Sequence, residues 1–219
     1  MIDYNIISTG SKGNAVIINK KILIDFGVSY KKIEPYMNDL KIALATHYHG
    51  DHFKASTARL MALKRPSLRF GCCYWMRGRL LEAGVNERQI DVYKPNVLYD
   101  YKAFSVIPFS VPHDVPNCGY KVFIGGEKIF YATDCGNLNG IIARGYDLYL
   151  CEANYEDEEI KARMDAKKAE GLYVYEQRAI RQHLSKKQCD DFIYRNAGPN
   201  SEYVYLHCHE ERENWYGEN

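Results

Sequence analysis

The sequence predicts an α/β protein in which two sheets are sandwiched by helices. Three observations carry that reading. Strand-like segments come in two batches, residues 4–46 and 104–152, and helix-prone stretches lie between and after them. No internal repeat or low-complexity linker divides the 219 residues. At roughly 150 residues per domain, that length suits a single domain over 1–219 with a substantial core.

In chain order, residues 4–8, 15–19 and 21–25 are apolar or β-branched runs separated by Gly10, Ser11, Gly13 and Asn14 and by a turn at Asn19-Lys20, so they read as short strands. A helix is expected over 30–37, its extent limited by Pro35. The apolar run 42–46 is a buried strand. Residues 53–64 carry helical spacing in Phe53, Leu60, Met61 and Leu63, 68–72 reads as a strand, and Tyr74–Glu82 as a helix closed by Gly84. Strands return at Phe104–Val111, 119–124 and 128–133, the last two joined by the hairpin pair Gly125-Gly126. Residues 147–152 form one more strand. The charge-dense stretch 156–170 and segments 176–183 and 185–196 are helical, and 203–206 is a last β-rich run before a polar, acidic end.

Composition narrows the class. Hydrophobic residues make up 46% and charged residues 26%, which excludes wholesale disorder. Twenty-nine Lys+Arg against 28 Asp+Glu leave a net charge of +1, so no global field draws the chain onto nucleic acid or an anionic membrane. No apolar run approaches the ~18 residues of a membrane helix. The start, Met1-Ile2-Asp3-Tyr4-Asn5, lacks the cationic and apolar runs of a signal peptide. Seven scattered cysteines then read as reduced packing thiols. A soluble cytoplasmic chain, with no membrane and no obligate protein partner evident, is the expectation.

Chemistry concentrates at His47-Tyr48-His49-Gly50-Asp51-His52, directly after the strand 42–46. A strand end aims its last side chains rigidly, and a loop containing Gly50 can fold so that all four polar groups converge. Imidazole and carboxylate are good ligands for divalent metals, and four within six residues exceed what one tetrahedral ion takes from one segment, which hints at two ions. Asp51 has a plain alternative as a helix N-cap. Further donors recur at strand ends: His113 after Phe104–Val111, Asp134 after 128–133, and His207 after 203–206. Each alone suits a turn; their recurrence along strand ends suits one shared site.

The order H-x-H-x-D-H, lone His, lone Asp, late His resembles the metallo-β-lactamase-fold hydrolase superfamily. Ser8-Thr9-Gly10-Ser11-Lys12-Gly13-Asn14 is similar to the S-x-G-S-x-G-N start of its YycJ-type branch. Leu23-Ile24-Asp25-Phe26-Gly27, Pro112-His113-Asp114 with Gly119-Tyr120, Glu152-Ala153-Asn154 and His183-Leu184-Ser185 match that branch too. The resemblance spans Ser8 to about Asn214 and implies a four-layer αββα sandwich with mixed sheets, whose helical segment 156–200 forms part of the site wall. It implies one metal site at His47, His49 and His113, a second at Asp51, His52 and His207, and Asp134 bridging them. Asp25 matches an aspartate that orients a ligand from behind the site, and His183 falls where nuclease relatives such as tRNase Z carry a histidine near the scissile phosphate. Where the branch has His-Leu-Ser near its end, this chain has His207-Cys208-His209, which leaves His209 as an alternative last ligand.

Two ions about 3.5–4 Å apart hold a bridging water as hydroxide at neutral pH and polarise the electrophile, so no protein nucleophile is needed; no Gly-x-Ser-x-Gly elbow is present. Asp51 and His183 are the residues expected to be catalytic, with His183 as general acid or phosphate contact or, in the plainer alternative, a helix-end histidine beside Ser185. Zinc suits a set without clustered thiolates, and manganese or iron fits it too. The expected substrate is a nucleic-acid or small phosphodiester. Supports are ten Lys/Arg against four acids between Lys54 and Lys102, tyrosines such as Tyr48, Tyr173 and Tyr175 that can stack bases, and the exonuclease-like action the resemblance implies. The loop Gly10–Asn14 reads as a phosphate cradle or a plain turn. Hydrolysis of a small ester, thioester or lactam, and a non-catalytic metal-binding module of the same fold, are the competing readings.

Overall fold

The apolar segments of the first half pair into one mixed sheet. In the computed structural model, which describes residues 2–208, this sheet runs β1 (Tyr4–Ser8), β2 (Ala15–Ile18), β3 (Ile22–Ile24), β4 (Ile42–Ala45), β5 (Arg69–Cys73), β6 (Ile90–Tyr93) in spatial as in chain order. The first three strands are antiparallel hairpins, and β3 to β6 are parallel. The parallel steps need crossovers, and a helix lies in each of the three. α1 (Tyr30–Ile33) precedes β4, and α2 (Ala55–Lys64) precedes β5. α3 (Tyr74–Glu82) and a short 3₁₀ turn, Glu87–Gln89, then lead to β6.

The second half forms a second mixed sheet in the order β12 (Glu202–Leu206), β11 (Leu148–Glu152), β10 (Glu127–Ala132), β9 (Asn117–Ile124), β8 (Phe104–Val111), β7 (Tyr99–Asp100). Here β10, β11 and β12 are parallel, and β7 to β10 alternate. α4 (Asp157–Ala169), α5 (Glu176–Gln182) and α6 (Lys186–Asn196) fill the crossover from β11 to β12. Ser185 caps α6 in a full capping box with Gln188.

The period-2 alternation of each strand explains the layering. In β4, Ile42 and Leu44 face the other sheet, where they meet Val106, Tyr120, Val122 and Tyr131 in a core sealed between the two sheets. Ala43 and Ala45 face the opposite way, onto Met61, Phe70, Met76 and Leu80 under α2 and α3. On the far side of the second sheet, Phe109, Phe130 and Tyr149 pack against Cys189, Phe192 and Ile193 of α6. The result is the four-layer αββα sandwich with mixed sheets.

Two features differ from the sequence reading. The expected helix over 30–37 divides into α1 and a 3₁₀ turn, Glu34–Tyr36, with Pro35 in its first turn, where a missing N–H costs nothing. The strands β6 and β7 were not expected. β6 carries Asp91 in mid-strand, its charge answered by Arg69 on the neighbouring β5, so its pairing rests on a contact that no local pattern announces.

Candidate metal centre

Strand ends build the site. Asp25 follows β3, His47 follows β4, His113 follows β8, Asp134 follows β10, Glu152 ends β11 and His207 follows β12. The loop carrying Asp51 and His52 is stitched to the end of β3. Asn14 N–H donates to the Asp51 carbonyl (2.6 Å) and Phe26 N–H to the His52 carbonyl (3.0 Å). Gly27 permits this approach, since a Cβ there would lie 1.8 Å from the Asp51 carbonyl oxygen. Asp25, Asp134 and His207 all adopt left-handed backbone, φ +59°, +52° and +52°. Such conformations cost energy for non-glycine residues and cluster at functional sites.

The donors converge on Asp134. One set is His47, His49, His113 and Asp134, a second is Asp51, His52, Asp134 and His207, and a third is Asp134, Glu152, His183 and His207; within each set the donor atoms lie within 4.8 Å of one another. Asp134 Oδ2 is 3.0 Å from His52 Nε2, 3.4 Å from His47 Nε2 and 3.9 Å from His113 Nε2. Its Oδ1 is 3.2 Å from His207 Nδ1, and Asp51 Oδ2 lies 3.4 Å from His207 Nε2. The residues fit a divalent cation. Buried polar atoms normally find partners, yet His47 Nε2 and Asp134 Oδ1 make no hydrogen bond, and an imidazole-carboxylate set is the donor chemistry of such ions.

Charge within the cluster is uneven. Burial, aided by His52, pushes His47 down to about 4, which leaves its imidazole neutral with a free lone pair. Burial opposes charge on His52 as well, but Asp134 and Asp25 outweigh it and push that imidazole up to about 10. His113 is lowered by burial. Despite burial, His207 and His52 hold Asp134 well below the usual carboxylate range.

Neighbouring residues orient the donors of the first two sets. Asp25 Oδ2 accepts from His52 Nδ1 at 2.7 Å, and Thr46 Oγ1 is 3.0 Å from His47 Nδ1. Glu152 is wholly buried. Its Oε1 lies 2.6 Å from His183 Nδ1 and 3.2 Å from His207 Nδ1, while its Oε2 accepts the Cys135 and Leu184 amides. Burial disfavours a charged His183, but Glu152 outweighs it and raises the imidazole above its ordinary value. His183 stacks on His207, ring centroids 5.2 Å apart. Asp114 Oδ1 reaches both His113 Nε2 (3.2 Å) and His49 Nε2 (3.4 Å). Glu152 as an anchor, Asp114 and Thr46 were not singled out for these roles by sequence reasoning; their only signal was adjacency to a motif histidine or to a strand end.

The seven residues His47, His49, Asp51, His52, His113, Asp134 and His207 thus stand in one cluster with His183 at its rim, while His209 lies outside the described residues. Asp51 is not a helix cap: α2 begins after Lys54. The loop 10–14 closes as a turn, with Ser11 lining the cleft. Gly10 N–H donates to Asn14 Oδ1, Gly13 N–H to the Gly10 carbonyl, and the Asn14 amide is spent on Asp51. Much of the basic excess is locally answered, in Arg69–Asp91, Arg77–Glu87, Arg79–Glu82 and Lys64–Glu34. Arg79 also covers the Tyr48 ring at 4.9 Å. Among the described residues no helix is long and apolar enough to cross a membrane.

A cleft of about 400 Å³ opens onto the cluster, walled on the far side by Tyr175, Arg178, Ala179, Gln182 and His183. No protein-family profile matches the chain. Among curated proteins, it is 26% identical to the exodeoxyribonuclease WalJ of Streptococcus pneumoniae over 230 residues, covering 93% of this chain and 80% of WalJ. It is 23% identical to the exodeoxyribonuclease YycJ of Bacillus anthracis over 175 residues, covering 73% and 66%. Among solved structures, the metallo-β-lactamase-fold protein YhfI of Bacillus subtilis superposes with a TM-score of 0.73 at 13% identity, covering 95% of this chain and 87% of YhfI.

Proposed function

We propose that the chain, which shares the metallo-β-lactamase fold and is similar to curated proteins named WalJ and YycJ, is a member of that superfamily's YycJ-type branch and a binuclear metal-dependent hydrolase of nucleic-acid phosphodiesters. The observation that carries this reading is the place of Asp134, common to the set around His47, His49 and His113 and to the set around Asp51, His52 and His207 in one cleft. His47, His49 and His113 would hold one ion, Asp51, His52 and His207 the other, and Asp134 would bridge them; zinc suits the set, as do manganese and iron. Bound there, the ions supply Lewis acidity and a coordinated water of lowered pKa.

The chain's own groups do the rest. Glu152 accepts a hydrogen bond from His183 Nδ1, which fixes the ring with Nε2 as its remaining polar atom, and its charge raises the basicity of His183, which favours the protonated ring. A protonated imidazole at the cleft can meet an anionic phosphate and hand its proton to the departing oxygen. Asp25, Thr46 and Glu152 hold the donor imidazoles in fixed tautomers, so the cluster is arranged before any cation arrives. Asn14 pins the Asp51 loop from below through both its backbone and its side chain. Two relatives bearing the name exodeoxyribonuclease, and a cleft with Arg178 and His183 at its wall, favour a phosphodiester over a neutral ester.

The test pairs metal analysis with turnover assays on single- and double-stranded oligonucleotides, bis-p-nitrophenyl phosphate, a thioester and a chromogenic lactam. Two ions per chain and cleavage of the phosphodiesters, lost in His49→Ala, are expected. Turnover of only the thioester or the lactam overturns the reading, as does full activity in His49→Ala.

A further inference from the structure

We propose that α5 carries a seat for a single unpaired nucleotide, in which Tyr175 stacks the base and Arg178 takes a phosphate next to the scissile one; this rests on the phosphodiesterase reading above. Tyr175, Arg178, Ala179 and Gln182 follow the i, i+3, i+4, i+7 spacing of one helix face, and all four line the cleft opposite the metal donors. Tyr175 and Arg178 are therefore about 4.5 Å apart along the axis, and the small Ala179 lines the cleft beside them.

Each partner is held ready. Lys167 Nζ sits 3.6 Å from the centroid of the Tyr175 ring and pairs with Glu176, so one ring face is covered while the side chain remains half exposed. Arg178 Nη2 donates to Asp114 Oδ2 at 2.6 Å, and its Nε to Gln182 Oε1 at 3.0 Å. Asp114 in turn touches His49 and His113. Arg178 is thus parked one carboxylate away from the donor cluster with most of its side chain exposed, where an incoming phosphate can take over its fork. The wall itself is fixed to the centre: His113 Nδ1 donates to the Gln182 carbonyl at 3.2 Å. Gly136, two residues after Asp134, lies so close to the Arg181 carbonyl that a Cβ would sit 2.3 Å from it.

The form of the seat selects its ligand. One open aromatic face accepts one base, and a base inside a duplex already has both faces stacked, so only an unpaired residue can use it. A volume of about 400 Å³ is at the small end of ligand pockets, which suits one nucleotide unit.

The probe is a fluorescein-labelled, phosphorothioate-linked single-stranded oligodeoxynucleotide, read by anisotropy on the metal-loaded full chain, beside its fully abasic counterpart and its blunt duplex. Tyr175→Ala should weaken binding about tenfold, the size of one base–aromatic stack, and Tyr175→Phe should restore it. The abasic strand should show the same loss on the wild type and no further loss on Tyr175→Ala, and the duplex should bind more weakly than the single strand. Arg178→Ala should flatten the slope of log affinity against log salt by about 0.7, one phosphate's worth. If Tyr175→Ala still prefers the normal strand over the abasic one as strongly as the wild type, or the salt slope of Arg178→Ala is unaltered, the seat is wrong while turnover of bis-p-nitrophenyl phosphate leaves the phosphodiesterase reading standing. If the wild type cleaves no phosphodiester at all, that reading fails and the seat falls with it.

Discussion

Asp25 is not one of the clustered donors, yet its Oδ2 meets His52 Nδ1 at 2.7 Å and thereby turns His52 Nε2 toward Asp134, 3.0 Å away. The carboxylate is itself held from three sides. Thr46 donates to Oδ1 through its amide (3.0 Å) and hydroxyl (2.9 Å), and Tyr131 donates to Oδ2 at 3.2 Å. A buried carboxylate behind a ligating imidazole fixes its tautomer and raises its basicity. Asp25→Ala should therefore weaken metal binding by about 10–100-fold, measured by competition with a chromogenic chelator. An affinity within twofold of the wild type would show that His52 needs no such support.

The same pair sets a pH dependence. In the metal-free protein His52 is pushed up to about 10 by Asp134 and Asp25 against its burial, so at neutral pH it carries a proton that a cation must expel. Lowering the pH adds to that cost, and raising it toward 10 removes it. Metal affinity should thus rise with pH, by about tenfold per unit for each proton released. Calorimetry in buffers of different ionisation enthalpy should register protons leaving on uptake. Affinity that is flat from mildly acidic to mildly alkaline solution contradicts this.

How much of this arrangement could be read from the chain depends on distance along it. His47, His49, Asp51 and His52 stand within six residues after a buried strand, so local spacing reveals them. His113, Asp134 and His207 are visible only because each follows a strand, and the strands' shared direction then brings them to one edge. Strands such as β1 and β8 were legible to the residue because their apolar content is high and turn residues bound them. Glu152 escaped as an anchor because its partners are His183 and the Cys135 amide, each far away in sequence. Its charge sits inside an otherwise apolar strand end and looks from sequence like a strand terminus. The edge strand β6 and the fork of Arg178 on Asp114 were hidden for the same reason, since each is defined by a contact between distant segments.

Gly27 makes a prediction about folding rather than chemistry. A Cβ there would lie 1.8 Å from the Asp51 carbonyl oxygen and 2.6 Å from the His52 amide nitrogen, both backbone atoms that cannot step aside alone. Gly27→Ala should destabilise the fold by about 1–3 kcal/mol or more, as overpacking does, and should weaken metal binding because the displaced loop carries two donors. Gly50→Ala is the control: nothing lies within 4 Å of its Cβ position, and its melting temperature should stay near the wild type. Equal melting temperatures for the two variants would mean that the two loops do not press on each other.

Glu152 and His183 predict the shape of the activity profile. As a general acid, His183 works only while protonated, so activity should fall as pH rises through its raised pKa. In Glu152→Gln the negative charge that outweighs burial is gone, the pKa drops, and the alkaline fall should begin at a lower pH. The substituted amide can still accept from the Cys135 and Leu184 amides through its oxygen, so the strand end keeps its anchor. Its NH₂ group, turned toward His183, would donate to Nδ1 and so favour a neutral ring with its one proton on Nε2, a far weaker acid than the imidazolium. The expected result is a lower kcat with an acid-shifted limb and a smaller change in KM. His183→Ala should erase the limb and cost about 100-fold or more in kcat, the range of general-acid assistance. If Glu152→Gln lowers activity uniformly at every pH, Glu152 serves only to hold β11 against its neighbours, and the proton must come from elsewhere.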